Sequence, residues 1–81
     1  MVEVNLWTGL RRFTGGLDKV QVEAGTVGEM LDALVRAHPA LEPVIKAGIS
    51  VAIDGEITNG NRHLPVSDMS EIHLLQQMRG G

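Results

Sequence analysis

The 81-residue sequence predicts a single α+β domain of two layers, in which a mixed sheet of four to five strands packs on one main helix. Segments that alternate apolar and polar residues stand near both ends of the chain and in its middle, as short half-buried strands do. One segment between them has the 3.6-residue period of an amphipathic helix. We expect residues 1–78 to form this domain and residues 79–81 to form a flexible tail.

The first two strands are predicted as an antiparallel hairpin. Residues 2–6 alternate apolar and polar side chains, and residues 19–23 repeat the pattern over a similar length. Residues 8–16 lie between them and carry three glycines, which favours a turn region.

The main helix is the best-specified element of the sequence. Thr26 followed by Glu29 forms a capping box, in which the hydroxyl accepts from the Glu29 amide and the carboxylate reaches back to the Thr26 amide. Asp32 and Arg36 have the spacing of a favourable ion pair on the outer face, and Pro39 ends the helix. The inner face is one apolar stripe, made of Val27, Met30, Leu31, Leu34 and Val35.

The second half of the chain predicts three further strands. Residues 39–48 read as a connector with one short turn, and residues 49–53 alternate into a third strand. Asp54-Gly55 is a strong signal for a tight hairpin to a short fourth strand. Residues 71–78 form the final strand, which we place centrally beside the first because it must be paired to hold the end of the chain.

Composition argues against several classes of function. The chain has no cysteine, so it has no disulfide, thiolate nucleophile or cysteine metal site. Its formal net charge of −3 argues against nucleic-acid binding, which normally rests on a basic surface. No segment resembles a signal peptide or reaches membrane-spanning length, so we expect a cytoplasmic protein without a membrane partner.

The residue pattern also lacks an active site. The histidines, His38, His63 and His73, are scattered over a helix end, a loop and a strand, without metal-ligand spacing. Asp54 and Asp68 read as turn residues. We therefore expect no catalytic residue of the chain's own, no metal site and no bound cofactor.

The sequence ends in Gly80-Gly81, which suits a terminus that is itself the substrate. Two residues without a Cβ form a thin end that can enter a narrow active site. A carboxylate is a poor electrophile until it is activated, for example as an acyl-adenylate. A sulfur nucleophile then gives a thiocarboxylate, and an amine gives an amide.

Five segments, in this order and spacing, resemble the MoaD/ThiS family of ubiquitin-like sulfur carriers. They are the hairpin at 6–16, the helix start at 26–34, the strand and turn at 49–55, the turn at 64–68, and the last strand and tail at 71–81. The resemblance covers essentially the whole chain and implies a β-grasp, ubiquitin-like fold.

The resemblance implies chemistry at the Gly81 carboxylate. An E1-like adenylyltransferase adenylates it with ATP, and a sulfurtransferase or other sulfur donor converts it to a thiocarboxylate. The acceptor is then an enzyme such as the large subunit of molybdopterin synthase, which is the preferred destination, or thiazole synthase. A tRNA- or cysteine-forming system stays open as a destination.

Two other functions stay open. Arg79-Gly80-Gly81 is similar to the ending of ubiquitin, which keeps open a protein modifier joined to lysine amines. Two roles of Arg79 stay open: it pairs with an acidic groove of the activating enzyme, or it is a solvated residue of the tail. The third function is a β-grasp interaction module without chemistry. Phe13, Leu75 and Met78 are candidates for partner contact, although each equally suits a core position.

Overall fold

The computed structural model describes residues 1–58 and 61–76. The strands are β1 (Val2–Asn5), β2 (Lys19–Val22), β3 (Ile49–Ile53), β4 (Glu56–Thr58) and β5 (Ile72–Gln76). The α-helices are α1 (Val27–Ala37) and α2 (Glu42–Ala47), and two 3₁₀-helices span Thr8–Phe13 and Pro39–Leu41. Residues 77 and 78, which the sequence assigns to the last strand, lie outside the described residues.

The five strands form one mixed sheet in the order β2-β1-β5-β3-β4. β5 pairs in parallel with β1 and antiparallel with β3, and the two hairpins β1–β2 and β3–β4 complete the sheet. The predicted two-layer α+β fold and the central position of the final strand are both confirmed.

The segment between β1 and β2 is a 3₁₀-helix rather than a simple turn. Leu10 is almost completely buried and anchors this helix to the core. Thr14 is also buried, and its hydroxyl donates to the Leu17 carbonyl oxygen at 3.0 Å. The chain then reverses at Gly15 and Gly16, whose φ angles of 71° and 96° lie in the region that glycine adopts without strain.

Helix α1 begins at the predicted cap, but with a different set of contacts. The Glu29 amide donates to the Thr26 hydroxyl at 3.2 Å, as expected. The Glu29 carboxylate accepts instead from the Gly25 amide at 2.8 Å, so it caps one residue earlier than a standard capping box.

The predicted pair between Asp32 and Arg36 is also corrected. Asp32 binds Arg62, with 3.0 Å between Oδ1 and Nη2. The two residues are 30 positions apart, and the Gly28 amide strengthens this contact by donating to the Arg62 carbonyl oxygen at 2.9 Å. These bonds fix the segment before Leu64 against the start of α1.

The core lies between the inner face of the sheet and the apolar stripe of α1. Val27, Met30 and Leu34 are fully buried, Leu31 is buried, and Val35 is half-buried. The strands contribute the following buried residues: Val2, Val4, Val20, Val22, Val51, Ile72 and Leu74.

The connector at 39–48 contains a second helix, where the sequence predicts only a short turn. Leu41 is completely buried and ties this segment to the core. Pro43 lies in the first turn of α2, where a missing N–H costs nothing, and Lys46 pairs with Glu42 at 3.1 Å. Gly48, at φ 109°, then turns the chain into β3.

The tight hairpin at Asp54-Gly55 is confirmed. Both residues have positive φ, 52° and 86°, as a two-residue turn of the primed type requires. The Asp54 amide donates to the Glu71 carbonyl oxygen, and the Glu71 amide donates to Asp54 Oδ1, both at 2.9 Å. These two bonds fix the start of β5 beside the turn.

Candidate functional site

The end of the sheet at which β5 finishes is called here the exit end. β1 and β5 run in parallel, so their carboxyl ends lie together, and Gln76 at the end of β5 pairs with Ile49 at the start of β3. Residues 77–81 are covalently attached at this end. Met78, Arg79, Gly80 and Gly81, which the sequence assigns to partner contact and chemistry, lie outside the described residues.

Two arginines and the one phenylalanine follow β1 at the exit end. Phe13 is half-buried and packs against the core, so it is a partial core residue. The Arg12 guanidinium lies 4.8 Å from the centre of the Phe13 ring, which is within cation–π distance. Arg11 lies 4.0 Å from Asp18, and both side chains are exposed.

The face of the sheet opposite α1 carries an apolar patch. The pairing register places Ala52 beside both Ile57 and His73, and places Leu75 beside Ser50. Because cross-strand partners point to the same side of a sheet, all of these residues share the face that α1 does not cover. Ile57 is 63% exposed and Leu75 is half-buried, whereas Ala52 is buried between them and adds little exposed area. Ala52, Ile57 and Leu75 are called here the open-face patch.

The remainder of this face is polar. His73 lies at its centre, with Nε2 3.1 Å from Glu71 Oε1. On β1, the Asn5 side-chain amide donates to the Ile72 carbonyl oxygen at 2.8 Å, and Lys19 of β2 lies 3.4 Å from Glu3. The face therefore changes from apolar at β3 and β4 to charged at β1 and β2.

The sequence identified Leu75 as a contact candidate but missed its neighbours in the patch. Ile57 stands between two polar residues in a short strand, and that pattern alone does not show which face it occupies. Its alignment with Ala52 follows from the register of β3 against β4, which depends on the Asp54-Gly55 turn.

Within residues 1–58 and 61–76, no three ligating side chains lie close enough together to hold a metal ion. His38, His63 and His73 lie at the end of α1, in the loop before Leu64 and on β5. In the same part of the chain, no helix is long and apolar enough to cross a bilayer.

Comparison with known proteins identifies the family. The sequence profile of the ThiS family matches residues 4–81, which is nearly the whole chain and includes both terminal glycines. The chain belongs to the ThiS family. It is therefore a member of the ubiquitin-like sulfur carriers, and the resemblance seen in the sequence is confirmed. No curated protein sequence gives a significant match.

Solved structures show the same ubiquitin-like β-grasp fold. The chain is 32% identical to the small archaeal modifier protein 1 of Haloferax volcanii, with a TM-score of 0.77 over 99% of this chain and 98% of the other. It is 28% identical to a chain in the BexX/CysO complex of Amycolatopsis orientalis, with a TM-score of 0.78 over 100% of both chains. A chain in a complex of the two subunits of the molybdopterin-converting factor of Helicobacter pylori is 21% identical, with a TM-score of 0.68 over 99% of this chain and 97% of the other. At this low identity, the match shows the fold alone.

Two neighbouring leucines of β5 test the assignment of the faces. Leu74→Ala should lower the free energy of unfolding by about 2–5 kcal/mol, because Leu74 is fully buried and its removal leaves a cavity. Leu75→Ala should lower it by only about 1 kcal/mol, because the side chain is half-buried on the open face. Urea unfolding of both variants measures the difference, and equal losses would contradict the open face.

Proposed function

We propose that this ThiS-family protein carries sulfur as a thiocarboxylate on Gly81. The observation that carries the proposal is the family match that continues through the terminal glycines, on a chain whose last described strand is central to the sheet. The proposal has two parts: the terminal glycines carry the reacting carboxylate, and the folded domain presents them to the partner enzymes.

The first step is activation of the terminus by an E1-like adenylyltransferase. The Gly81 carboxylate attacks the α-phosphorus of ATP, which releases pyrophosphate and leaves an acyl-adenylate. A hydrosulfide then attacks the carbonyl carbon, and AMP departs. Where the donor is the persulfide of a sulfurtransferase, a thiol reductant reduces the persulfide and so releases the hydrosulfide. The product is a thiocarboxylate, and this step needs no catalytic side chain from the carrier.

The body of the protein supplies recognition. The open-face patch presents an apolar surface next to the strand that ends at the exit end, and apolar surface of this kind supports protein contacts. We propose that Leu75 and Ile57 contact the activating enzyme, with Phe13, near the exit end, and Met78 as further contacts. The BexX/CysO structure is a complex that contains a chain related to this one, which supports binding of a protein partner but does not concern the surface used.

The sulfur acceptor stays a prediction from the sequence. The preferred acceptor is the large subunit of molybdopterin synthase, and thiazole synthase or a tRNA- or cysteine-forming system are the alternatives. The protein is proposed to act in the cytoplasm as a carrier or co-substrate, without a bound cofactor. The open-face patch does not distinguish between these acceptors.

Reconstitution tests the chemistry at Gly81. The purified protein, incubated with an E1-like adenylyltransferase of the family, ATP and sodium sulfide, should gain the mass difference of one sulfur for one oxygen. The change should require ATP and should be absent when Gly81 is deleted, because the shortened chain ends one residue short of the reaction centre.

Deletion of Met1 is the matched control for that experiment, because Met1 is a terminal residue at the other end of the chain and is exposed. This variant should gain sulfur at the same rate as the full chain. Sulfur on the variant that lacks Gly81 would place the modification elsewhere and refute the proposal.

A charged residue in the open-face patch should weaken activation. Ile57→Asp places a carboxylate at a 63% exposed apolar position, so we expect at least a tenfold fall in kcat/KM for ATP–pyrophosphate exchange by the activating enzyme. Ala40→Asp, on an exposed residue of the helical layer, is the control and should leave the rate unchanged. Equal rates for both variants would show that the patch does not contact the enzyme.

A protein-modifier role is the second candidate. It is favoured by the 32% identity to the small archaeal modifier protein 1 of Haloferax volcanii and by the Arg79-Gly80-Gly81 ending. In this role a lysine amine, rather than a sulfur nucleophile, attacks the activated Gly81 and forms an isopeptide bond. Conjugates that form with ATP and the activating enzyme and survive boiling in a thiol would support this role.

A further inference from the structure

A groove runs between the free edge of β2 and helix α1, on the helical side of the sheet and away from the open-face patch. Its two adjoining parts, of about 590 and 420 Å³, share Glu23, Ala33 and Arg36. Val22, the last residue of β2, lines the groove. This end of β2 lies away from the exit end, because Val22 pairs with Val2 at the start of β1.

The edge of β2 offers hydrogen-bonding groups next to this groove, which Val22 alone of the β2 residues lines. β2 is the last strand on its side of the sheet. The Leu6 amide donates to the Asp18 carbonyl oxygen at 2.8 Å, which sets the alternation of bonded and non-bonded pairs along the hairpin. Lys19 and Gln21 fall in the non-bonded pairs, so their N–H and C=O groups point outward from the sheet.

The floor of the groove is apolar and shallow. Ala24 and Ala33 are half-buried and pack against the core, and their single methyl groups leave room for a side chain of a partner. A strand added beside β2 points every second side chain to the helical side, where these alanines lie.

The walls of the groove are mainly acidic. Three carboxylates, Glu23, Glu29 and Asp32, line it against the single cation Arg36. Glu29 is engaged by the Gly25 amide and Asp32 by Arg62. Among the described residues Glu23 has no such bond, so it is the carboxylate available to a cationic partner.

We propose that this groove binds an extended, basic segment of a partner protein, which adds to the edge of β2 as a further strand. Main-chain hydrogen bonds to Lys19 and Gln21 hold the segment, an aliphatic side chain covers Ala33, and a flanking Lys or Arg pairs with Glu23. The segment leaves the exit end and the open-face patch free. The protein therefore binds a second partner while an enzyme acts on Gly81.

The test uses the full chain and the peptide TRTVTRT, acetylated and amidated at its ends. In an added strand this peptide places Arg, Val and Arg on the helical side and threonines on the other. We expect saturable changes in amide chemical shift at Gln21, Glu23 and Ala33 by NMR. The Gln21 amide should also become protected from hydrogen exchange, whereas the outward amide of Ile57 on the opposite edge should not.

Matched variants separate the parts of the proposal. Ala33→Arg should weaken binding at least tenfold by filling the floor, whereas Ala47→Arg, on an exposed residue of α2, should not. Glu23→Gln should weaken binding about threefold at low salt, an effect of the size expected for one exposed charge pair, whereas Glu56→Gln on β4 should not. The peptide TETVTET should bind at least tenfold more weakly than TRTVTRT.

Two results would overturn the proposal. Absence of saturable shifts at Gln21, Glu23 and Ala33 with millimolar TRTVTRT would show that the groove does not bind this class of segment. Shifts without hydrogen-exchange protection of the Gln21 amide would show that the peptide is held by charge alone and does not add to β2.

Discussion

The pairing of β5 between β1 and β3 is the interaction on which the rest of the structure depends. Two residues of β1 and five of β3 pair with the last strand, and its register with β3 runs without interruption from Ile72 to Gln76. The parallel pairing with β1 joins the two ends of the sequence and requires the crossover that α1 provides. Because Ile72 and Leu74 are fully buried, β5 separates from the sheet only when the core opens.

In the proposed function, the end of the chain carries the chemistry and the folded domain carries the recognition of partners. The residues that would be chemically active, Gly80 and Gly81, carry no side chain, and the charged side chains of the described body are exposed or half-buried. Under our two proposals, recognition therefore falls to surfaces of the body: the open-face patch for the activating enzyme and the groove beside β2 for a basic segment. The two surfaces lie on opposite sides of the sheet, since the groove is on the side of α1.

Local signals in the sequence predicted most of the fold. Alternation located the strands, the apolar stripe located α1, and Asp54-Gly55 located the second hairpin, because each pattern is complete within a few neighbouring residues. Helix α2 was missed because its six residues are too few for a helical period to emerge and include a proline. The bond between Asp32 and Arg62 was missed because it joins positions 30 residues apart, which only the folded chain brings together.

The candidate site was predictable to a different degree in its two parts. The terminal glycines are visible in the sequence, and the family match extends through them. The open-face patch was only partly visible, since Leu75 was a candidate but its relation to Ile57 and Ala52 depends on the registers of three strands. The outward-facing groups of Lys19 and Gln21 likewise depend on which pairs of the first hairpin are hydrogen-bonded.

The measurement that tests the central claim most directly is the intact mass of the protein purified from its native host. A sulfur carrier predicts a species in which one sulfur has replaced one oxygen, and this species must disappear when Gly81 is removed. Unmodified protein alone, accompanied by larger conjugates linked through Gly81, would contradict the carrier role and identify a protein modifier. Unmodified protein without conjugates would also contradict the carrier role and would favour a β-grasp interaction module without chemistry.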